Sequence, residues 1–268
     1  MTRSTTPPDA AREWQEWHEA RLATVTGPYG PLALAGTHWL ADHPDGRIDG
    51  LPGRWTAAAD GTAVILEAAP GDGLTVDGAP AAGTHLLDQD AGPAAARVRH
   101  GARRLVVLRR EGLWAVRDFD PESPARRAFA GLDAHPYEER WVRPGLFRPY
   151  AARRTVQVAN ADGRERDFVL GGELAFPLDG DEHTLQVAVE PDGSLWAVLA
   201  DATSGTDSYR FRFLRPPAPA ADGTVPVDLN RTQLPPCAFA DHFLCPFPPP
   251  GNTLPFALRA GERRALFG

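Results

Sequence analysis

The chain has 268 residues, 43% hydrophobic and 24% charged, with a net charge of −7 and a pI near 5.6. That length supports one large or two smaller domains with a substantial core. The acidic balance argues against general nucleic-acid binding, which needs a basic face, and no apolar run nears the ~20 residues of a membrane span. Lysine is absent and all 28 basic residues are arginine. Schiff-base, pyridoxal-phosphate and phosphate-loop chemistry that needs a lysine amine is thereby excluded, and an anion would be held by guanidinium forks or backbone amides.

Pro7-Pro8-Asp9 followed by AAREWQEWHEARLATV predicts a helix with Asp9 as its N-cap. Trp14, Trp17, Arg21 or Leu22, and Val25 recur at helical spacing, with the two tryptophans as core anchors, and Gly27-Pro28 ends the element. The first 22 residues lack the apolar core of a signal peptide, which predicts a cytoplasmic location. Residues 1–45 are read as this helix plus a lead-in with apolar anchors at Leu32, Leu34, Trp39 and Leu40. His38 and His43 share neither a helical nor a strand repeat and are read as unrelated.

Residues 46–120 change to short strands punctuated by glycine and Asp-Gly turns, with candidates at 62–67, 74–76, 84–87, 96–99, 105–109 and 114–119. Strands at this spacing predict an antiparallel sandwich or barrel. Residues 121–150 are rich in proline, glycine and charge, yet carry Phe129, Leu132, Tyr137, Trp141 and Phe147. They read as an ordered bridge rather than a floppy linker. Residues 151–268 resume the rhythm as a second β lobe, with strands at 155–159, 166–170, 173–178, 183–189, 195–200 and 209–214, the last two a hairpin around Ser204-Gly205. On the last of these, Tyr209, Phe211 and Phe213 share one face; Arg210 and Arg212 share the other, where solvent exposure is the default and a cavity-lining role the alternative. The fold class is mainly β: antiparallel sandwich or barrel lobes with an N-terminal helix and a proline-rich C-terminal strap.

The familiar catalytic signatures are missing. There is no Gly-x-Ser-x-Gly elbow, dinucleotide glycine fingerprint, Cys-x-x-Cys, His-Glu-x-x-His or calcium loop. The first lobe is similar to a forkhead-associated sandwich but lacks the serine–histidine pair and Asn-Gly turn of its phosphothreonine pocket, so only a fold analogy is implied.

The stretch DLNRTQLPPCAFADHFLCPFPPPGNTLPFALRAGE, residues 228–262, carries both cysteines and a dense set of prolines. Asp228, Asn230, Arg231, Pro235–Phe239, Cys245, Pro246, Pro248, Pro249, Asn252, Leu254, Gly261 and Glu262 resemble the signature of the prokaryotic domain-of-unknown-function family 1684. Upstream, Asp201, Thr203, Gly205, Tyr209 and Arg212 are similar to that family's D-x-T-S-G…T-Y…R-F-L pattern, and GTHWL near residue 36 to its G-L-Y-W-L motif. The chain departs at Leu229, Thr232–Leu234 and Thr253. The resemblance implies kinship and no particular activity.

Prolines fix φ, remove donors and restrict the preceding residue. Such a segment, bearing Phe239, Phe243, Phe247 and Phe256, belongs over an open sheet edge or barrel end. Asp228, Asn230 and Asn252 then act as caps for backbone groups left unpaired. A functional reading makes the strap the lid of a small-molecule, anion-binding pocket, with catalysis as one version of it. Arg212 would hold the anion, Asp228 or Glu262 would act as acid or base, and Cys237 as thiol ligand or nucleophile, with Asp201, Tyr209, Asn230 and Asn252 binding the ligand. Two alternatives stay open: a non-catalytic scaffold or protein-interaction module using the first lobe's loops, and a thiol-based metal or redox site at Cys237 and Cys245 with His242 between them. No cofactor and no oligomeric state are assigned.

Overall fold

The computed structural model describes residues 8–268, so Pro7 of the expected helix start lies outside the described residues. Helix α1 (Pro8–Thr26) takes in Asp9. Its carboxylate therefore sits in the first turn, 3.1 Å from Arg12 one turn on, rather than capping from outside. The chain divides into two compact units. The smaller is Thr24–Ala128; the larger joins the helix up to Ala23 with the chain from Phe129 onward. Both are antiparallel β, and no described helix is long and apolar enough to cross a membrane.

The smaller unit holds β1 (Leu34–Trp39), β2 (Arg54–Ala57), β3 (Val64–Ala68), β4 (Leu74–Val76), β5 (Ala79–Pro80), β6 (Gly83–Leu87), β7 (Val98–His100), β8 (Arg103–Arg110), β9 (Leu113–Phe119) and the short α2 (Pro124–Ala128). A six-stranded sheet, ordered β1-β9-β8-β7-β4-β5, faces a three-stranded one, β2-β3-β6. Trp55, Val64 and Leu66 from the small sheet bury against Val98, Leu105, Val107, Trp114 and Val116 from the large one, which makes a sandwich. The expected Asp77-Gly78 turn joins β4 to β5 with φ of 52° and 84°, the left-handed pair that matches strand twist in a two-residue hairpin. His38 and His43, unrelated by sequence spacing, stand with their rings 6.1 Å apart where β1 turns a corner.

The larger unit contains β10 (Phe129–Ala134), β11 (Val142–Ala159), β12 (Glu165–Leu178), β13 (Asp181–Val189), β14 (Leu195–Leu199), β15 (Arg212–Leu214), β16 (Thr224–Asp228) and β17 (Glu262–Phe267). The stretch read as a bridge thus supplies α2, β10 and the first part of the longest strand. β10 pairs with β17, and the other six form one sheet in the order β15-β14-β13-β12-β11-β16. Alternate residues of β12, β13 and β14 point into a single core, which Leu214 joins from one edge strand and Val225 and Val227 from the other. Both edges can reach the same core only if the sheet curls, here into a half-barrel. The outer face is apolar too: Val158, Phe168, Leu170, Val198 and Phe213 form a second cluster with Cys237 and Cys245.

Two expected strands, 166–170 and 173–178, are one. Gly171-Gly172, the gap between the two expected strands, is the place where β12 passes a bulge in β11 between Pro149 and Arg154. A Cβ on Gly172 would lie 2.4 Å from the Phe147 ring, so the glycine serves close approach rather than reversal. Within β11, Pro144 faces Pro226 of β16, a pairing open to two residues without N–H donors only outside the ladder's hydrogen bonds.

Residues 229–261 form the strap, and it covers open edges as proline chemistry requires. Gln233 exchanges both backbone hydrogen bonds, at 2.8 Å each, with Phe213 on edge strand β15. Phe247 donates to Ala159 at 2.8 Å, past which Ala161 donates to Cys245 at 2.9 Å. The strap continues inward, where Leu254, Leu258 and Ala260 join the half-barrel core. Its phenylalanines pin it: Phe247 lies 4.9 Å from Phe211, Phe256 4.8 Å from His183, and Phe239 6.4 Å from Phe129.

Candidate functional site

Arg212 anchors the interior. It is fully buried, against the usual exposure of a strand arginine. Its Nη2 donates to Asp201 Oδ2 at 2.8 Å and to the Leu258 carbonyl at 3.0 Å, and its Nη1 to the carbonyls of Ala260 and Glu262 at 2.7 and 3.1 Å. Asp201 also accepts from the Thr203 amide and hydroxyl and from the Leu258 amide, at 2.8, 2.7 and 3.1 Å. Burial pushes the Asp201 carboxyl up, but the Arg212 charge and these donors outweigh it and hold the group below the usual carboxylate range. The guanidinium is thus a knot that ties the last turn of the strap to the hairpin after β14.

Glu262 is likewise fully buried. Arg21 of α1 donates to its Oε1 at 3.0 Å, and the Leu234 amide to its Oε2 at 2.6 Å. Arg21 also donates to the Leu234 carbonyl at 3.0 Å. Asp228 caps the turn that follows it, accepting from the Asn230 amide and side chain at 3.0 and 2.9 Å and from Arg231 Nε at 3.1 Å. Asn230 exchanges hydrogen bonds with both backbone groups of Glu138 at 3.1 Å. Asn252 does the same for Gln186, at 2.8 and 2.9 Å, and donates to the Val198 carbonyl as well. Tyr209 donates to the Cys237 carbonyl at 3.1 Å. The eight residues singled out from sequence are therefore brought together as four separate knots along the strap (Arg212, Asp201 and Glu262; Asp228 and Asn230; Asn252; Tyr209 and Cys237), each occupied by its own neighbours. Asp228 also lines a cavity.

That cavity is a cleft of about 500 Å³ at the seam of the half-barrel, between the end of β15 and β16. This is within the range of small-molecule sites. Leu214, Pro216, Pro217, Pro226 and Val142 form apolar walls, and Arg215, Arg231, Asp228 and Glu13 bring charge. Arg231 and Asp228 are paired, and the Arg231 guanidinium lies 5.6 Å from the Trp17 ring centre. Arg215 is less committed. Its nearest carboxylate, Glu190, is 3.8 Å away, beyond hydrogen-bond reach, and its guanidinium lies 5.0 Å from the Trp196 ring centre. Burial lowers its pKa, and Glu190 only partly opposes that. For a metal, the donor set is thin: among the described residues no three His, Cys, Asp or Glu side chains are grouped to hold an ion.

The model of the family described as "Protein of unknown function (DUF1684)" matches residues 127–263. The chain belongs to this family. No curated protein matches it. Among solved structures, it is similar to the solution NMR structure of an uncharacterized protein from Haloarcula marismortui, at 29% identity and a TM-score of 0.42, over 50% of this chain and 77% of that one.

The DUF1684 match covers nearly all of the larger unit's strands and strap, so both cleft arginines and every knot around Arg212 fall inside it. The Gly36–Leu40 motif, Glu13 and Arg21 fall outside. Arg215 and Arg21 were not legible as site residues. The one signal at Arg215 is the Pro216-Pro217 pair after it, which ends the strand and leaves its guanidinium at an open edge. Arg21 offers none, because its partners lie 213 and 241 residues away in sequence.

Proposed function

We propose that this protein binds a small anionic molecule, bearing a phosphate or carboxylate, in the seam cleft of the half-barrel. The observation that carries the reading is Arg215. The residue lines an apolar-walled cleft of suitable size, and its guanidinium, on a side chain 43% exposed, stands over the Trp196 ring with its nearest carboxylate, Glu190, 3.8 Å away and out of hydrogen-bond reach. A guanidinium in that state gains most from a bidentate oxyanion. Arg231, oriented by Asp228 and by Trp17, supplies a second positive group on the opposite wall. The reading is one of binding. Of the proposed acid–base pair, Glu262 is enclosed by Arg21 and Leu234, and Asp228 serves to orient Arg231.

Native mass spectrometry of gently purified protein tests this reading. The expected result is a co-purifying anion in the wild type that is lost from Arg215→Ala. A species retained equally by both proteins would locate binding elsewhere.

A further inference from the structure

The two cysteines, eight apart in sequence, meet on the outer face of the half-barrel. The Cys237 amide donates to Cys245 Sγ at 3.4 Å, and each residue is only 5% exposed. Four further features surround the pair. The Tyr209 hydroxyl lies 3.6 Å from Cys237 Sγ. Arg210, exposed at the rim, holds its guanidinium 4.6 Å from the centre of the Phe247 ring, whose side chain packs on the cysteine cluster. Asp241 and His242, between the cysteines, are exposed, so the connecting turn is at the surface. Asn160 is 2% exposed, pairs with Pro246 beside Cys245, and has neither amide atom hydrogen-bonded within the protein. By strand alternation its side chain is on the side of Val158, which packs with both cysteines.

A thiol merely buried among phenylalanines titrates above the ordinary value and is inert. Cys237 runs the other way. The hydrogen bond from Cys245, then Tyr209 and Arg210, outweigh burial and draw it down to about 7. Cys245 is the thiol that donates to it, which sets the two apart chemically.

We propose that Cys237 and Cys245 are a thiol–disulfide exchange pair for low-molecular-weight disulfides, with Cys237 attacking and Cys245 resolving. The Cys237 thiolate attacks one sulfur of a small disulfide RSSR. A new S–S bond forms at Cys237, the old one breaks, and RS⁻ leaves to be protonated by solvent. Cys245 then gives up its proton to solvent and its sulfur attacks Cys237 Sγ, expelling the second RS⁻. Two protein thiols are oxidised to one disulfide while RSSR is reduced to two RSH. Arg210 marks the open side and suits an anionic disulfide. The unpaired Asn160 amide offers a donor and an acceptor to the group held there.

The test uses the full-length reduced protein with oxidised glutathione at pH 7, acid quenching, intact mass and peptide mapping. Wild type is expected to end two hydrogens lighter, with Cys237 joined to Cys245. C245S is expected to stop as a single mixed disulfide at Cys237, and C237S to form no adduct while folded. Iodoacetamide alkylation of Cys237 in the reduced wild type, read by peptide mapping, should show a pH midpoint near 7, moved upward in Y209F. Thiols that react only in denaturant, independent adducts at both positions without a cross-link, or a midpoint near the ordinary ~8.5 would each overturn the proposal. The wild-type arm stands even if a variant fails to fold.

Discussion

Arg212 and Arg215 stand three residues apart at the end of one strand and live in opposite electrostatic worlds. Arg212 has no solvent exposure, one carboxylate at 2.8 Å and three carbonyls within 3.1 Å. Arg215 has no carboxylate nearer than 3.8 Å and opens on a cleft. A residue type says little about role here; what decides is whether the chain itself supplies the counter-charge. The strap does so for Arg212 by folding its carbonyls back over the guanidinium. The Pro216-Pro217 pair prevents anything comparable at Arg215.

Variants can break or sharpen this contrast. Arg212→Met should have the largest effect. It leaves Asp201 charged and buried without its counter-charge, a loss of about 3–5 kcal/mol, visible as a collapse of the melting temperature. Removing both charges in D201N/R212M should recover part of that loss, as a non-additive double-mutant cycle. Recovery of nothing would mean the carbonyl contacts, not the pair, hold the strap.

Asn252→Ala comes next. It strands the Gln186 amide and two carbonyls, and should cost about 2–3 kcal/mol by denaturant unfolding. An acid titration follows in size. Asp201 is held below its unfolded value, so its contribution is fully present above about pH 4 and fades as pH falls through the folded value. D201N should be less stable at neutral pH but show a flatter acid limb than the wild type. Arg215→Ala should change stability by no more than about 0.5 kcal/mol, since it breaks no hydrogen bond within the protein.

The architecture was legible because its signals are local. Alternation, Asp-Gly turns and proline placement identify a β-rich chain, most of the strands and a rigid strap. Where the reading failed, glycine and proline had a second meaning. Gly171-Gly172 lies inside β12, and Pro144 and Pro149 sit within the longest strand. The polar residues of the strap were legible as a set, but sequence spacing does not reveal whether a carboxylate faces a backbone amide or a cavity. Asp228, Asn230 and Asn252 match the capping alternative in their hydrogen bonds. Arg215 carries no motif at all, and becomes visible only when the sheet curls and brings its two edges to one cleft.

The central claim, that Arg212 is structural and Arg215 is for a ligand, meets its most direct test in melting curves. Wild type, R215A and R231A would be titrated with inorganic phosphate and with citrate at constant ionic strength. The account predicts that all three melt at similar temperatures without anion, and that only the wild type climbs with concentration in a saturable way. Parallel shifts in all three proteins would contradict it, because the anions would then be acting on the surface at large rather than in the cleft.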